Sequence, residues 1–512
     1  MNVSKVFSAS LDGIDAHVIE VETDIHVGLH SFNIVGLADK ALSEAKERVG
    51  SALKNTGVKP PNKENRKIVV NLAPADLRKT GSHYDLAIAI GYLLASKQVQ
   101  TFDTQQSLFI GELALNGAVR SVNGTLNIAS MAAAKGFQNL FVPRENAAEA
   151  AIVKGLRVIP VAHLTDLINH LENRVLISLQ GETQIESEIG NYEIDIGDIK
   201  GQEQAKRALL IAAAGGHNLL MQGSPGSGKT MLAQALTSIL PAPTLGEVIE
   251  ITKIYSAAGL LKRQAFVNWR PFRSPHQTAS PVAIVGGGQN PKPGEISLAH
   301  RGILFLDELP EFRRDLLEAL RQPLESGKAF VTRAKEHVVF PAKFMLVAAM
   351  NPCPCGYYND EERECRCSAH EVLRYQKKIS GPLLDRIDLQ ITVPRVKIEA
   401  LQSRQRNSEL VAAMRTRVAQ ARTLQQERFK KIKTPILTNA EMNSKLCESL
   451  ITLDAAADQF LKQMFEKSLL SARGYYRVLK TARTIADLEN SEKVITDHIA
   501  EAFQYRLQVT QN

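Results

Sequence analysis

The chain has 512 residues, of which 44% are hydrophobic and 23% charged, with a formal net charge of +8. That is too long for one core and too apolar for disorder, so roughly two to four ordinary globular domains are expected. Five cysteines make no disulfide framework. The longest apolar stretch, Leu86 to Ala95, is too short to cross a bilayer. Met1-Asn2-Val3-Ser4-Lys5 opens no apolar secretion signal, so a soluble cytoplasmic protein without membrane partners is expected. The basic balance permits nucleic-acid binding and does not require it.

Residues 1–175 read as a mixed α/β domain. Val18 to Thr23 and Lys67 to Leu72 have strand character, while Ala41 to Leu53 and Leu86 to Ser96 read as helices, the second apolar enough to be buried. Residues 176–197, polar and acidic around Gln180 to Glu188, read as an exposed linker. Residues 198–394 form the second domain and residues 395–512 an amphipathic helical one, so the fold class is α/β multidomain.

The second domain carries Gly223-Ser224-Pro225-Gly226-Ser227-Gly228-Lys229-Thr230 between the apolar run Asn218 to Met221 and a helical segment from Met231. Strand, glycine loop and helix in that order make a phosphate-binding loop. Glycines let backbone N–H groups turn inward round an anion, and the helix N-terminus adds its positive end. Lys229 then reaches the outer phosphates of ATP, and the Thr230 hydroxyl holds Mg²⁺. Ile303 to Leu306 is an apolar strand ending in Asp307 and Glu308. A buried parallel strand delivers such acids to the sheet edge where ligands bind. Asp307 is assigned to the Mg²⁺ shell and Glu308 to the attacking water. Asn351 ends another apolar strand and is placed at the γ-phosphate or the water. Arg386 precedes a further strand and is read as a finger toward a neighbouring subunit's nucleotide.

Cys353-Pro354-Cys355 and Cys365-Arg366-Cys367 are two close thiol pairs in one polar loop. Four soft thiolates favour tetrahedral Zn²⁺, with an iron–sulfur cluster as the alternative. Ala329 to Phe340 alternates around a basic tip and reads as a β-hairpin. Its Arg333 and Lys335 are candidate DNA contacts, since cations on such a hairpin hold phosphates. Val285 to Pro291 reads as a glycine-rich, mobile insertion, and Cys447 as a packing residue.

Two resemblances follow from these stretches. Val70 to Asp76, Gly81 to Asp85 and Gly111 to Gly117 resemble the Lon-type protease domain (ribosomal protein S5 domain 2-like, α+β). The nucleophile position falls on His83, with Ser82 one residue out of register, and the lysine position falls on Leu126, which implies a non-proteolytic relative. Asp198 to Leu209, Gly215 to Met221, Pro271 to His276 and His300 to Glu308 resemble the magnesium-chelatase-like AAA+ ATPases of the YifB/ComM type. That resemblance covers the whole chain. It implies a homohexameric ring with ATP at subunit interfaces, a helical lid in which Arg473 is the second sensor (Arg477 the fallback), and a DNA branch-migration helicase of natural transformation working beside recombination proteins. Lys335 matches the pore-hairpin lysine of minichromosome maintenance helicases, and the glycine-rich insertion is similar in place to the helix-2 insert of ring helicases. A protein-remodelling or chelatase-type partner ATPase is the rival reading. The chain shows neither the adhesion segment of a chelatase partner nor an aromatic pore loop.

Overall fold

The computed structural model describes residues 3–36, 42, 44–61, 65–186, 193–261, 264–288, 290–333, 336–396, 408–467 and 471–506. Alternating side chains start the first sheet. β1 (Val3–Asp12) and β2 (Asp15–Val27) form a long antiparallel hairpin whose Val6, Ile19, Val21 and Ile25 are buried. β3 (Ser31–Val35), β4 (Arg66–Ala73), β5 (Ser107–Phe109), β6 (Asn139–Pro143) and β7 (Arg157–Val161) complete a mixed seven-stranded sheet in the order β3-β4-β2-β1-β5-β6-β7. The expected strands fall inside β2 and β4. Helix α1 (Ala45–Asn55) covers the first expected helix from Ala45 onward, and α2 (Asp85–Ala95) is buried on nearly every residue, as its composition demands. Helix α3 (Thr125–Ala134) packs on the same sheet.

The linker is mostly exposed over residues 176–186, yet it does not hang free. Gln180 N donates to Val158 O at 2.9 Å and Thr183 N to Ala151 O at 3.1 Å, holding it along the first unit. Ile196 is fully buried in the second core, and Asp195 accepts from Gly197 N at 2.8 Å, so packing of the second unit begins by Asp195.

That unit is built on α4 (Glu203–Gly215), β8 (Leu219–Gln222), α5 (Lys229–Leu236), α6 (Leu245–Ala258), β9 (Phe272–Arg273), β10 (Ile303–Leu306), α7 (Arg321–Ser326), the hairpin β11 (Lys328–Arg333) and β12 (Glu336–Pro341), β13 (Met345–Met350) and β14 (Leu389–Thr392). Five of these strands form an all-parallel sheet, β9-β10-β13-β8-β14. Strands covered on both faces must be apolar throughout, and β10 and β13 are buried at every position. Because all five run one way, the turns leaving them share one edge. The order places β13 between β8 and β10.

Helices α8 (Ser408–Lys431), α9 (Ala455–Glu466) and α10 (Ala472–Leu488) share one apolar cluster with this sheet, including Val418, Leu461 and Ile485. The first unit docks through α3 and α6: Gly124 N donates to Ser256 O at 3.1 Å, and the Ser256 hydroxyl donates to buried Glu149. The turn at Gly13 lies against Val338 and Phe340 of β12 and leaves no room for a Cβ. The glycine-rich insertion carries regular structure where described. Gly286 and Gly287 pair with Pro293 and Lys292 in a short antiparallel ladder, and Gln289 lies outside the described residues. No helix among the described residues is long and apolar enough to cross a membrane.

Candidate nucleotide site and cysteine cluster

The glycine loop leaves β8 at the shared edge. Gly226 (φ 78°) and Gly228 (φ 91°) take the left-handed conformation, and a Cβ on either would meet nothing, so the loop is open at both glycines. Gly228 caps the start of α5, and the buried Ser227 hydroxyl has no hydrogen-bond partner. Lys229 is buried, and its Nζ donates to Gly223 O at 2.7 Å, to Ser224 O at 3.0 Å and to Asn351 Oδ1 at 3.3 Å. Burial pulls the Lys229 pKa below its ordinary value, with Asp307 and Glu308 opposing. The contact with Asn351 is a product of strand order, since β13 delivers that amide between the loop strand and the acid strand.

From β10, Asp307 Oδ2 accepts from Thr230 Oγ1 at 2.8 Å, while Oδ1 accepts from Glu308 N at 2.9 Å. Two oxygens so close suit a hard cation with octahedral demands, so Thr230 and Asp307 fit Mg²⁺. Glu308 is exposed and sits at φ 52°, a left-handed conformation rare for a side-chain-bearing residue. Such strain gathers at functional positions and turns this carboxylate out of the strand direction.

Cys353, Cys355, Cys365 and Cys367 place their sulfurs within 4.8 Å of one another. The Sγ–Sγ separations are 3.3 Å (353–355), 3.7 Å (353–365) and 3.6 Å (355–365). A tetrahedron with zinc–thiolate bonds of about 2.3 Å has edges of roughly 3.8 Å, so this donor set fits the metal. The loop that carries it is seated on the glycine loop. The Ser224 hydroxyl donates to Asp360, and Gly356 lies too close to Pro225 for a Cβ. Asp360 pairs in turn with Arg395 at 3.1 Å, whose guanidinium lies 5.5 Å from the Tyr357 ring centre. Sequence reasoning missed Asp360 and Arg395. The available signal was position: an acidic run (Asp360, Glu361, Glu362, Glu364) between the two thiol pairs and an arginine just past the last strand.

The arginines occupy the opposite edge. Asn218, immediately before β8, donates to Arg386 O at 2.9 Å, one strand length (about 13 Å for four residues) from the loop. The finger expectation needs a projecting side chain, and in the single chain Arg386 does not project. It is 5% exposed, donates to Arg321 O at 3.1 Å and to Pro382 O, and pairs with Glu325. Burial lowers its pKa while Glu325 works the other way. Arg473 is exposed beside the same Glu325 at 3.6 Å, and Arg477 pairs with buried Asp388, which also faces His217 at 3.3 Å. Lys335 lies outside the described residues, and Arg333 is described only by its place in β11. In the first unit the Ser82 hydroxyl donates to Glu112, a ring nitrogen of His83 lies 2.7 Å from Ala9 O, and Leu126 is buried. Cys447 packs with Phe429 and Met442, as expected.

Three family descriptions match the chain: subunit ChlI of Mg-chelatase over residues 21–146, magnesium chelatase subunit ChlI over 195–401, and the ChlI C-terminal part over 408–506. The chain is 44% identical to Competence protein ComM of Haemophilus influenzae, covering 99% of this chain and 98% of that protein. It is 40% identical to YifB of Salmonella typhimurium over 99% and 97% of the two chains. A magnesium-chelatase subunit ChlI homologue of Methanocaldococcus jannaschii is more distant, 23% identical over 60% of this chain and 83% of that one. With its parallel-sheet core, its glycine loop and this likeness along its whole length, the chain belongs to the magnesium-chelatase-like AAA+ ATPases of the ComM and YifB type.

Proposed function

We propose that the protein is an ATP-driven, ring-forming DNA motor that moves branch points in recombination intermediates during natural transformation. The observation that carries the ATPase part is the convergence of Lys229, Thr230, Asp307 and Asn351 at one sheet edge. The full-length likeness to a competence protein supports the DNA part.

In this reading ATP is the substrate and Mg²⁺ neutralises its phosphate charge. The N–H groups of the glycine loop and Lys229 bind the phosphates, Thr230 and Asp307 hold the metal, and Asn351 orients the γ-phosphate. Glu308 takes a proton from the attacking water. Arg386 and Arg473 sit at the far edge from their own loop, which favours action on a neighbour's nucleotide and hence a hexamer. Arg386 would first exchange Glu325 for phosphate. The domain assignment is 1–175 non-proteolytic and Lon-like, 198–394 ATPase core and 395–512 helical lid, with DNA held at Arg333 and Lys335 and recombination proteins as partners. Cys353, Cys355, Cys365 and Cys367 hold a structural Zn²⁺.

The test is ATP hydrolysis and unwinding of branched DNA by wild type, Lys229→Ala and Lys335→Ala. Wild type hydrolyses ATP faster with branched DNA, Lys229→Ala does neither reaction, and Lys335→Ala hydrolyses but unwinds poorly at raised salt. Hydrolysis that ignores DNA, with no unwinding, would sink the helicase reading. The ChlI family match favours a second reading, a chelatase-type partner ATPase, which predicts hydrolysis responding to a protein partner and not to DNA.

A further inference from the structure

A cavity of about 460 Å³ opens at the sheet edge opposite the glycine loop, between the strand starts at Asn218, Gly302 and Met345 and the C-terminal helices. It is lined by six cations (Arg270, Arg301, Lys343, Arg422, Arg477, Lys480) and four carboxylates (Glu247, Glu325, Asp388, Glu441). The carboxylates are all taken. Arg270 holds Glu247 at 2.9 Å, Lys343 holds Glu441 at 3.1 Å, Arg477 pairs with Asp388, and Glu325 is engaged by Arg386 and Arg473 from outside the cavity.

Two cations are left with carbonyl oxygens alone. Arg422 donates through Nε and Nη2 to Ala213 O at 3.0 and 2.7 Å, and Lys480 donates to Ala440 O at 3.0 Å. Among the described residues neither forms an ion pair with a carboxylate. Burial pulls the pKa of each down, Arg422 to about 10, with Glu247 and Glu441 opposing at Arg422 and Asp388 opposing at Lys480, none of them close enough for an ion pair. Leu437, Met442 and Phe344 supply an apolar wall.

We propose that this cavity is a second anion site, in which Arg422 and Lys480 hold the phosphate of a small organic phosphate whose body packs on Leu437, Met442 and Phe344. With Nε and Nη2 of Arg422 held by Ala213 O, its Nη1 and the Lys480 ammonium are left to an anion, and two cations lining one cavity suit a dianionic phosphate better than a single carboxylate. The volume lies within the range of about 300–1,000 Å³ usual for small ligands, too small for a polymer. Arg386 and Arg473 do not line the cavity, although both hold Glu325 on its wall, so its cationic groups are other than those two. Its walls come from both the sheet unit and helices α8 and α10, so an occupant would join the two.

The experiment reads binding with the glycine-loop site removed. Calorimetric titration of Lys229→Ala with AMP, and separately with inorganic phosphate, is expected to show saturable binding, tighter for AMP. Adding Arg422→Met or Lys480→Met weakens AMP by about tenfold each, the effect of one lost charge-assisted hydrogen bond. No AMP binding by Lys229→Ala overturns the proposal, as does binding indifferent to both substitutions or phosphate binding as tightly as AMP. Nucleotide binding at the glycine loop of Arg422→Met in the otherwise native chain checks the fold. If that is lost, Lys480→Met alone decides. ATP hydrolysis by wild type is read separately, so the motor reading and the second site fail independently.

Discussion

At Glu308 a carboxylate follows a buried strand, but its left-handed backbone, and not the strand, sets where it points. Neither Lys229 nor Thr230 hydrogen-bonds it, so its loss should leave the phosphate cradle intact. Glu308→Gln is expected to keep nucleotide affinity within about twofold and to slow single-turnover hydrolysis by 10²-fold or more, the usual weight of a general base. Loss of affinity in parallel would reassign Glu308 to binding. Glu247 illustrates the opposite kind of carboxylate. It is buried, and burial works to raise its pKa. Arg270, the Thr244 N–H and Arg301 outweigh that and bring it down to about 2 from 4.5. The ionised form is the one the fold stabilises. Its contribution is therefore complete above pH 4.5 and drains away as pH falls toward 2. Glu247→Gln should cost about 3 kcal/mol near pH 7, the scale of a broken buried ion pair. In thermal unfolding the gap from wild type should close as pH drops below 4.5, and a gap that widens would contradict the assignment.

At the scale of elements, the cysteine loop and the glycine loop behave as one piece, because Asp360 accepts from the Ser224 hydroxyl and Gly356 packs on Pro225. Metal occupancy should therefore be felt at the phosphates. Cys353→Ser with Cys365→Ser is expected to lower zinc from about one per chain to near zero and to weaken nucleotide binding several-fold. Asp360→Asn should keep the zinc and still weaken nucleotide binding by about two- to tenfold, the weight of one hydrogen bond. If Asp360→Asn binds nucleotide as wild type does, the contact is packing only. The hairpin β11–β12 is coupled in a similar way, to the first unit through Gly13, so a movement of that hairpin would be transmitted to the N-terminal sheet.

At the scale of the whole molecule, the two halves of the proposed ATPase site lie at opposite edges of one parallel sheet, as expected for a site shared between copies. If the proposed ring forms, hydrolysis per chain should rise with protein concentration. Arg473→Ala should lower kcat by about 10²-fold or more, as removal of a charge-stabilising group does. It should leave the affinity of the isolated chain for nucleotide unchanged. A concentration-independent rate, or an affinity loss in the monomer, would place the arginine on its own subunit's nucleotide.

The glycine loop, the acid-ended strand Ile303 to Glu308, the four thiols and the buried helix at Leu86 were legible in the sequence, because each is a short-range pattern whose chemistry depends on neighbours a few positions away. Sheet order, which puts Asn351 on Lys229, comes from pairings between strands more than a hundred residues apart, and no local pattern encodes it. The pairing of Arg386 with Glu325, the seating of Asp360 on Ser224 and the cavity around Arg422 are of the same long-range kind. A charged side chain in sequence carries no record of which partner buries it. The sequence by itself thus determined that the chain holds a phosphate-binding loop, an acid-ended strand and a thiol set, and only tertiary packing decided which side chains meet there and which are held elsewhere.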